Sequence, residues 1–571
     1  MRNRKDSKPE ETIKRIKELL AELGLDTQIT EVHDNGICYS VRVELSAFPG
    51  IGTNGKGITQ EYALASAYGE FMERLENGAM IDFLFPYKER EQQNVRLDEN
   101  VFYNFCGLYG DMESKKRKDL KNYFSSYRYL YEGRWYVDII NGRNVSLPFR
   151  LIDILCGTNG FCAGNTFEEA VVQGIAEIFE RTVLKCIFFE PEKAYHEIKI
   201  LPLSSYEGLE IYEAVKVIEN KGYVCRFLDC TMGGRLPVIA LLMHDTKRVL
   251  YKFSIASDVD LQIAMQRCIT EIFQGHDFHS LFRLSMNPIF DVEQVGSSIF
   301  ELNDMRGSFE KCAISGDGQL PLYMFLIKTQ SSGEWNFNEG IHSNKDALEY
   351  VKGLVSSLGY SLLIQDNSFL GFPAYKVFIP GMSEMFDDFE WRGIRDECME
   401  GMHEIDKRSK DQRFQLIKKL ERLNCDRNAC GAVDIAGILV KKDAEKGDGG
   451  FFDETGRFMR CCLYYACEMY EDAYRLYREY KKGVYSVPLT YLKLKSLHYP
   501  EEVIKELFSN AGIEFDAKGY FNFEFPQCPD CSICHWSEAC QYEEWRKLRD
   551  ILARKRNQYE EEKRIQNEVT L

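Results

Sequence analysis

The chain has 571 residues, enough for two to four domains at about 150 residues each. Its 72 Lys and Arg against 89 Asp and Glu give a formal net charge of -17, which excludes general nucleic-acid binding and attraction to acidic membranes, because neutralising phosphates needs surplus cations. Its 19 cysteines are an odd number in a chain with no apolar run of the roughly 18 residues a membrane span needs, so most are expected as reduced core thiols of a cytoplasmic protein. An acidic chain can still hold ATP where metal ions screen the phosphates.

Residues 9 to 24 predict an amphipathic helix, with Ile13, Ile16, Leu19, Leu20 and Leu23 on one side and Gly24 closing it. Ile37 to Leu45, ICYSVRVEL, alternates as a strand does. Gly50 to Gly57, GIGTNGKG, has the G-x-x-x-x-G-K frame of a P-loop, but Gly57 stands where a Ser or Thr must hold Mg2+. A flexible strand-to-helix turn is expected there instead, with Lys56 placed to meet phosphate. Between Asp82 and Leu147 the dense aromatics, Tyr123 to Tyr136, fit a packed sheet or hairpin better than a base-stacking platform. Pro148 to Gly160 leads into the turn-rich TNGFCAGNT, where Asn159 reads as a turn residue and Asn165 as either a cap or a nucleotide contact.

Thr166 to Lys185, TFEEAVVQGIAEIFERTVLK, is the stretch that organises the chain. As a helix it sets Glu169, Gln173, Glu177 and Glu180 in one stripe with Arg181 beside the last, and its other directions are apolar. Carboxylates on a buried helix cost several kcal/mol each unless paired or bound to a cation. Three with one Arg are under-neutralised, so the stripe reads as a site for hard cations, most simply Mg2+.

The phrase recurs. Gly57 to Arg74 aligns with Gly164 to Arg181, matching Gly, Thr, Glu, Ala, Glu, Glu and Arg, and a fainter copy spans Asp260 to Gln274. Ser66, Glu70 and Glu73 in the first copy stand where Gln173, Glu177 and Glu180 stand in the second and Arg267, Glu271 and Gln274 in the third. Copies about a hundred residues apart are too widely spaced for a solenoid. They predict an α+β fold of internally repeated strand-helix units that bring equivalent helices around one site.

Glu207 to Lys221 reads as a further helix, and YVCRFLDCT and PVIALLM as buried strands around the Gly233-Gly234 turn. FPAYKVFIPGM closes the α+β body as a last core strand, giving a first domain over 1–385. A helical domain over 386–515 follows, in which Phe458 to Tyr480 resembles a helical hairpin or tetratricopeptide-like unit. The last module, 516–571, carries Cys528, Cys531, Cys534 and Cys540 at C-x2-C-x2-C-x5-C spacing, which suits one tetrahedral zinc or an iron-sulfur cluster. Glu543 to Arg564 is so charged that a solvated arm is expected.

The GKG…ASAYGEFMER phrase, TNGFCAGNTFEEAVVQGIAEIFER, the later R-x-x-x-E-x-x-Q and PGMSEMF together resemble the YcaO family of ATP-dependent enzymes that activate backbone amides. The resemblance runs from about residue 31 to 390, and is strongest to stand-alone members with a helical C-terminal domain, which form dimers and are linked to methylthiolation of a ribosomal protein. It implies a YcaO-type catalytic body around a central nucleotide site, with ATP and Mg2+ held by Glu70, Glu73, Glu169, Glu177, Glu180 and Glu271. It also implies that Lys56, Ser66, Asn165, Arg181, Arg267 and Gln274 line the nucleotide.

The expected chemistry is transfer of a phosphoryl group to an amide oxygen, which depends on positioning and charge neutralisation more than on covalent catalysis. The nucleophile is either a peptide side chain, giving an azoline, or an external sulfur donor, giving a thioamide. No residue identifies itself as the catalytic base. Expected partners are a peptide or protein substrate, a sulfur-delivery or methylthiotransferase protein, and a second copy of the chain. A non-catalytic ATP-binding accessory protein and a small-molecule ligase of the ATP-grasp or kinase kind are the competing readings.

Overall fold

The computed structural model of this chain describes residues 4–79, 100–109, 132–245, 247–281, 287–288, 294–385, 409–423, 461–480, 485–521 and 542–570. The amphipathic stretch at the start forms α1, Pro9–Glu22, with Ile16 and Leu20 buried and Gly24 in the left-handed region just beyond the helix. β1, Thr27–Asp34, β2, Tyr39–Leu45, and β3, Phe48–Gly57, then form a three-stranded antiparallel sheet in that order.

The glycine-rich stretch is therefore neither a P-loop nor a flexible turn but the last eight residues of β3. The reason is contact with α2, Gln60–Glu76. A Cβ on Gly55 would sit 2.0 Å from the Ala63 carbonyl oxygen and 2.2 Å from the Ala67 nitrogen, so glycine is what lets this strand lie directly on a helix face of small residues.

A second sheet has the order β5-β4-β12-β13-β6, formed by β4, Gly133–Asp138, β5, Arg143–Pro148, β6, Phe161–Ala163, β12, Leu363–Asp366, and β13, Ala374–Phe378. The expected hairpin is β4-β5, with Trp135 and Tyr136 in it; Tyr123, Phe124, Tyr127, Tyr129 and Tyr131 lie outside the described residues. One side of this sheet, including Leu363 and Phe378, packs with α3, Asn100–Gly107, and α4, Phe149–Cys156. The other side, including Ile364 and Val377, joins the cluster of α5, Phe167–Phe189.

The third sheet runs β11-β10-β9-β8-β7, over Asn287–Pro288, Leu250–Ser257, Val238–Asp245, Tyr223–Asp229 and Lys199–Ile200. Ala240, Leu242, Tyr251 and Phe253 of this sheet share the α5 cluster. Helix α5 is thus held between two sheets, which explains why its sequence is apolar in nearly every direction. The opposite face of the third sheet, including Ile239, Leu241 and Met243, receives α6, Ile211–Asn220, and α7, Leu261–Ile272. α8, Asn344–Ser357, packs on α5 within the same cluster.

The C-terminal helices α9, Lys410–Leu423, α10, Tyr470–Tyr480, α11, Val487–Ser496, and α12, Glu501–Asn510, share a separate apolar cluster that includes Ile417, Cys461, Leu476, Leu492, Ile504 and Phe521. The charged terminal helix α13, Tyr542–Thr570, is not a solvated arm. Leu548 and Leu552 are buried in the cluster of α1 and α2, Glu560 meets Arg134 at 3.4 Å, and Lys563 pairs with Asp366 at 3.0 Å. Charge dominated the reading of this helix, yet one apolar pair spaced i, i+4 is enough to seat it. Ala517 and Phe521 join the helical cluster, and Leu548 and Leu552 of α13 the cluster of α1 and α2. No described helix is long and apolar enough to cross a membrane.

Candidate functional site

The three copies of the repeated phrase form three helices started in the same way. The Thr59 side chain accepts the Tyr62 N–H at the head of α2, Thr166 accepts the Glu169 N–H at the head of α5, and Asp260 accepts the Gln262 and Ile263 N–H groups at the head of α7. Their polar stripes converge. Burial pushes the Glu73 carboxyl up to about 8, with Arg74 pulling it back and Glu177 and Glu70 adding to the rise. Glu180 is likewise raised, first by burial and against the pull of Arg267 and Arg181.

Each acid faces a cation. Arg74 lies 3.5 Å from Glu70 and 3.7 Å from Glu73, Arg181 lies 3.7 Å from Glu177, and Arg267 donates to Glu180 at 3.0 Å, where the Ser257 N–H also donates at 2.8 Å. Lys56, at the end of β3, pairs with Glu271 and donates to Gln274 at 3.0 Å, while Gln274 donates to the Asn54 carbonyl at 2.7 Å. Desolvation draws the Lys56 ammonium down to about 8, Arg267 adding to the fall and Glu70, Glu180 and Glu177 opposing it. Ser66 lies half-buried one turn ahead of Glu70.

Asn165 and Glu169 stand apart from this group. Glu169 accepts the Asp6 N–H at 2.9 Å and Asn165 Nδ2 at 3.1 Å, and pairs with Lys5 at 3.1 Å. Asn165 accepts from Thr12 at 2.7 Å. Burial raises the Glu169 carboxyl, but Lys5 and the Asp6 N–H more than reverse this and leave it lowered. The residues before α1 thus seal the head of α5, and Arg4 carries the seal on to Asp258 at 2.5 Å and, through its carbonyl, to Asn344 at 2.6 Å.

Reading the sequence missed Arg74, Lys5 and Lys376. Arg74 occupies in the first copy the place of Arg181 in the second, so the repeat carried that signal. Lys376 on β13 is fully buried, donates to the Gly157 carbonyl at 2.9 Å and pulls on Glu73 from behind; nothing in its neighbours' spacing marks it. Cys528, Cys531, Cys534 and Cys540 lie outside the described residues.

Among the described residues no three acid, His or Cys side chains stand in a ready coordination shell, because Arg74, Arg181, Arg267 and Lys56 intervene. The donor set nevertheless fits Mg2+. It is all carboxylate oxygen, and buried Glu73 beside Glu70 and Glu177 holds a proton where a cation would hold the charge.

A family profile described as YcaO cyclodehydratase, ATP- and Mg2+-binding, matches residues 54–383, more than half of the chain. The chain belongs to the YcaO family. Among YcaO relatives, it is 25% identical over 403 residues to the Escherichia coli ribosomal protein S12 methylthiotransferase accessory factor YcaO, covering 67% of this chain and 66% of that protein. It is 23% identical over 471 residues to an uncharacterized protein of Haemophilus influenzae, covering 77% and 76%. The chain therefore spans just under two thirds of the E. coli relative.

Of solved structures, a heterocyclase in complex with substrate and cofactor aligns at TM-score 0.43 and 16% identity, covering 67% of this chain and 54% of that one. YcaO from Methanopyrus kandleri bound with AMPPCP and Mg2+ aligns at TM-score 0.41 and 17% identity, covering 66% and 92%. The mixed sheet and helix body with C-terminal helices agrees with the fold class expected from the repeats.

Proposed function

We propose that this YcaO protein uses ATP and Mg2+ to activate a backbone amide of a peptide or protein. The observation that carries this is the meeting of acids from three related helices, Glu70 and Glu73, Glu177 and Glu180, and Glu271, with burial raising the carboxyls of Glu73 and Glu180. In this reading these five carboxylates would hold Mg2+, which would supply charge to screen the phosphates. Lys56, Arg181, Arg267 and Gln274 orient the triphosphate, with Ser66 towards the rest of the nucleotide, while Asn165 and Glu169 fasten the head of α5 to the residues before α1.

The reaction balances as follows. A nucleophile adds to the amide carbon, and the amide oxygen takes the γ-phosphoryl group as ADP leaves. The C–O bond then breaks with loss of phosphate. Loss of the nitrogen's proton leaves C=N in an azoline when the nucleophile is a Cys, Ser or Thr side chain, whereas an external sulfide leaves C=S in a thioamide. The partners are the peptide or protein substrate, a sulfur-delivery or methylthiotransferase protein, and a second copy of the chain in a homodimer.

A second reading is favoured by the E. coli relative, which is named an accessory factor: a protein that binds ATP and presents its helical domain to a modifying enzyme. ATP turnover with and without Mg2+, in intact protein and in Glu177→Ala, separates the two. Metal-dependent turnover lost in the variant, with a peptide product lacking one water or carrying sulfur for oxygen, supports the enzyme. No metal-dependent turnover with any peptide supports the accessory.

A further inference from the structure

Helix α2, which carries Glu70 and Glu73, ends on a further buried acid that the proposed site does not use. Glu76 lies three residues beyond Glu73, about 60° further round the helix, and is fully buried. Its Oε1 accepts the Leu370 N–H at 2.7 Å, and its Oε2 has no hydrogen-bond partner among the described residues. Burial pushes it well above the usual carboxylate range, and through the Leu370 N–H it grips the loop between β12 and β13.

The next residue makes the grip two-handed. Asn77 Oδ1 accepts from Asn367 of the same loop at 2.8 Å, and Asn77 Nδ2 donates to the Glu73 main-chain carbonyl at 3.0 Å. The loop begins at Asp366, which pairs with Lys563 of α13 at 3.0 Å. Leu370 and Phe372 of the loop, Leu75 of α2, and Leu548 and Leu552 of α13 all belong to one apolar cluster. An unbroken chain of contacts therefore runs from the terminal helix, through the loop, to the turn that carries Glu73.

We propose that the joint of Glu76, Asn77 and Asn367 is a positioning device for Glu70 and Glu73, and that α13 sets it through Lys563. This rests on the reading that those carboxylates hold a divalent cation. The joint fixes the rotation and end of α2 from outside the site, as outer-shell partners fix the ligands of a metal. It also gives the C-terminal helix a grip on the site without entering it.

Binding of Mn2+ to the full chain in saturating AMPPCP, read by electron paramagnetic resonance, tests it. Glu76→Gln keeps the acceptor for Leu370 and binds as the unaltered chain does. Glu76→Ala binds roughly tenfold more weakly, the scale on which outer-shell partners act, and Lys563→Ala roughly threefold more weakly, since its ion pair is exposed. A folded Glu76→Ala with unaltered Mn2+ affinity overturns the proposal. Should that variant not fold, Lys563→Ala decides alone, and unchanged affinity there overturns it. If even the unaltered chain binds no Mn2+, the carboxylate site itself falls, an outcome distinct from equal binding by all.

Discussion

The two ends of the stripe on α5 differ in how their acids are balanced. At its head, Glu169 is held ionised by Lys5, the Asp6 N–H and Asn165, all within 3.1 Å. Two turns on, Glu177 and its neighbours Glu70 and Glu73 share Arg74 and Arg181 at 3.5 Å or more, and burial leaves Glu73 protonated. A paired buried acid is a structural fastening. One left short of positive charge suits a cation that comes and goes, and that difference separates the proposed metal centre from the seal at its edge.

The contrast can be broken most severely at the centre. Glu177→Ala should lower Mg2+-dependent ATP turnover by about 10²–10³-fold, the range for losing one preorganised charge at a reacting centre, while the melting temperature stays near that of the intact chain. Gly55→Ala acts on the scaffold behind it. Forcing a Cβ between β3 and α2 should destabilise the chain by about 1–3 kcal/mol, and moving Lys56 with the strand should raise the KM for ATP.

The protonated state of Glu73 gives a sharper probe without nucleotide. Its folded value of about 8 lies above its ordinary 4.5, so the folded chain binds a proton that the unfolded chain releases between those values. Its contribution to stability is therefore full below about pH 4.5 and is lost as pH rises through about 8, by at most about 1.4 kcal/mol per pH unit. Glu73→Gln should flatten that fall in thermal melts, as should adding Mg2+ with AMPPCP. Lys5→Ala, at the other end, should cost less than about 1 kcal/mol, because Lys5 is 45% exposed and solvent screens the pair. Urea unfolding at pH 7 measures it.

What the sequence shows of this design follows from which physics leaves a periodic trace. The repeated phrase exposes α2, α5 and α7 because acid spacing is local, whereas their caps are Thr59, Thr166 and Asp260, and it is Thr166 and not Asn165 that caps α5. β3 was hidden because its glycines answer to a contact with Ala63 and Ala67 that no strand pattern encodes. Helix α4, FRLIDILC, was hidden in a turn-rich lead-in, and α13 by its charge. The seal by Arg4, Lys5 and Asp6 and the buried Lys376 pair residues more than 150 positions apart, or bury a charge among apolar neighbours, and neither leaves a spacing to read.

Calorimetric binding of Mg2+·AMPPCP to the full chain, compared across Glu73→Gln, Glu177→Gln and Glu271→Gln, is the most direct test that three helices build one nucleotide-metal site. The account predicts tight binding that requires Mg2+ and is weakened by each replacement, one per helix. Binding by all three variants as tight as by the unaltered chain, or equally tight AMPPCP binding with Mg2+ removed, would contradict it.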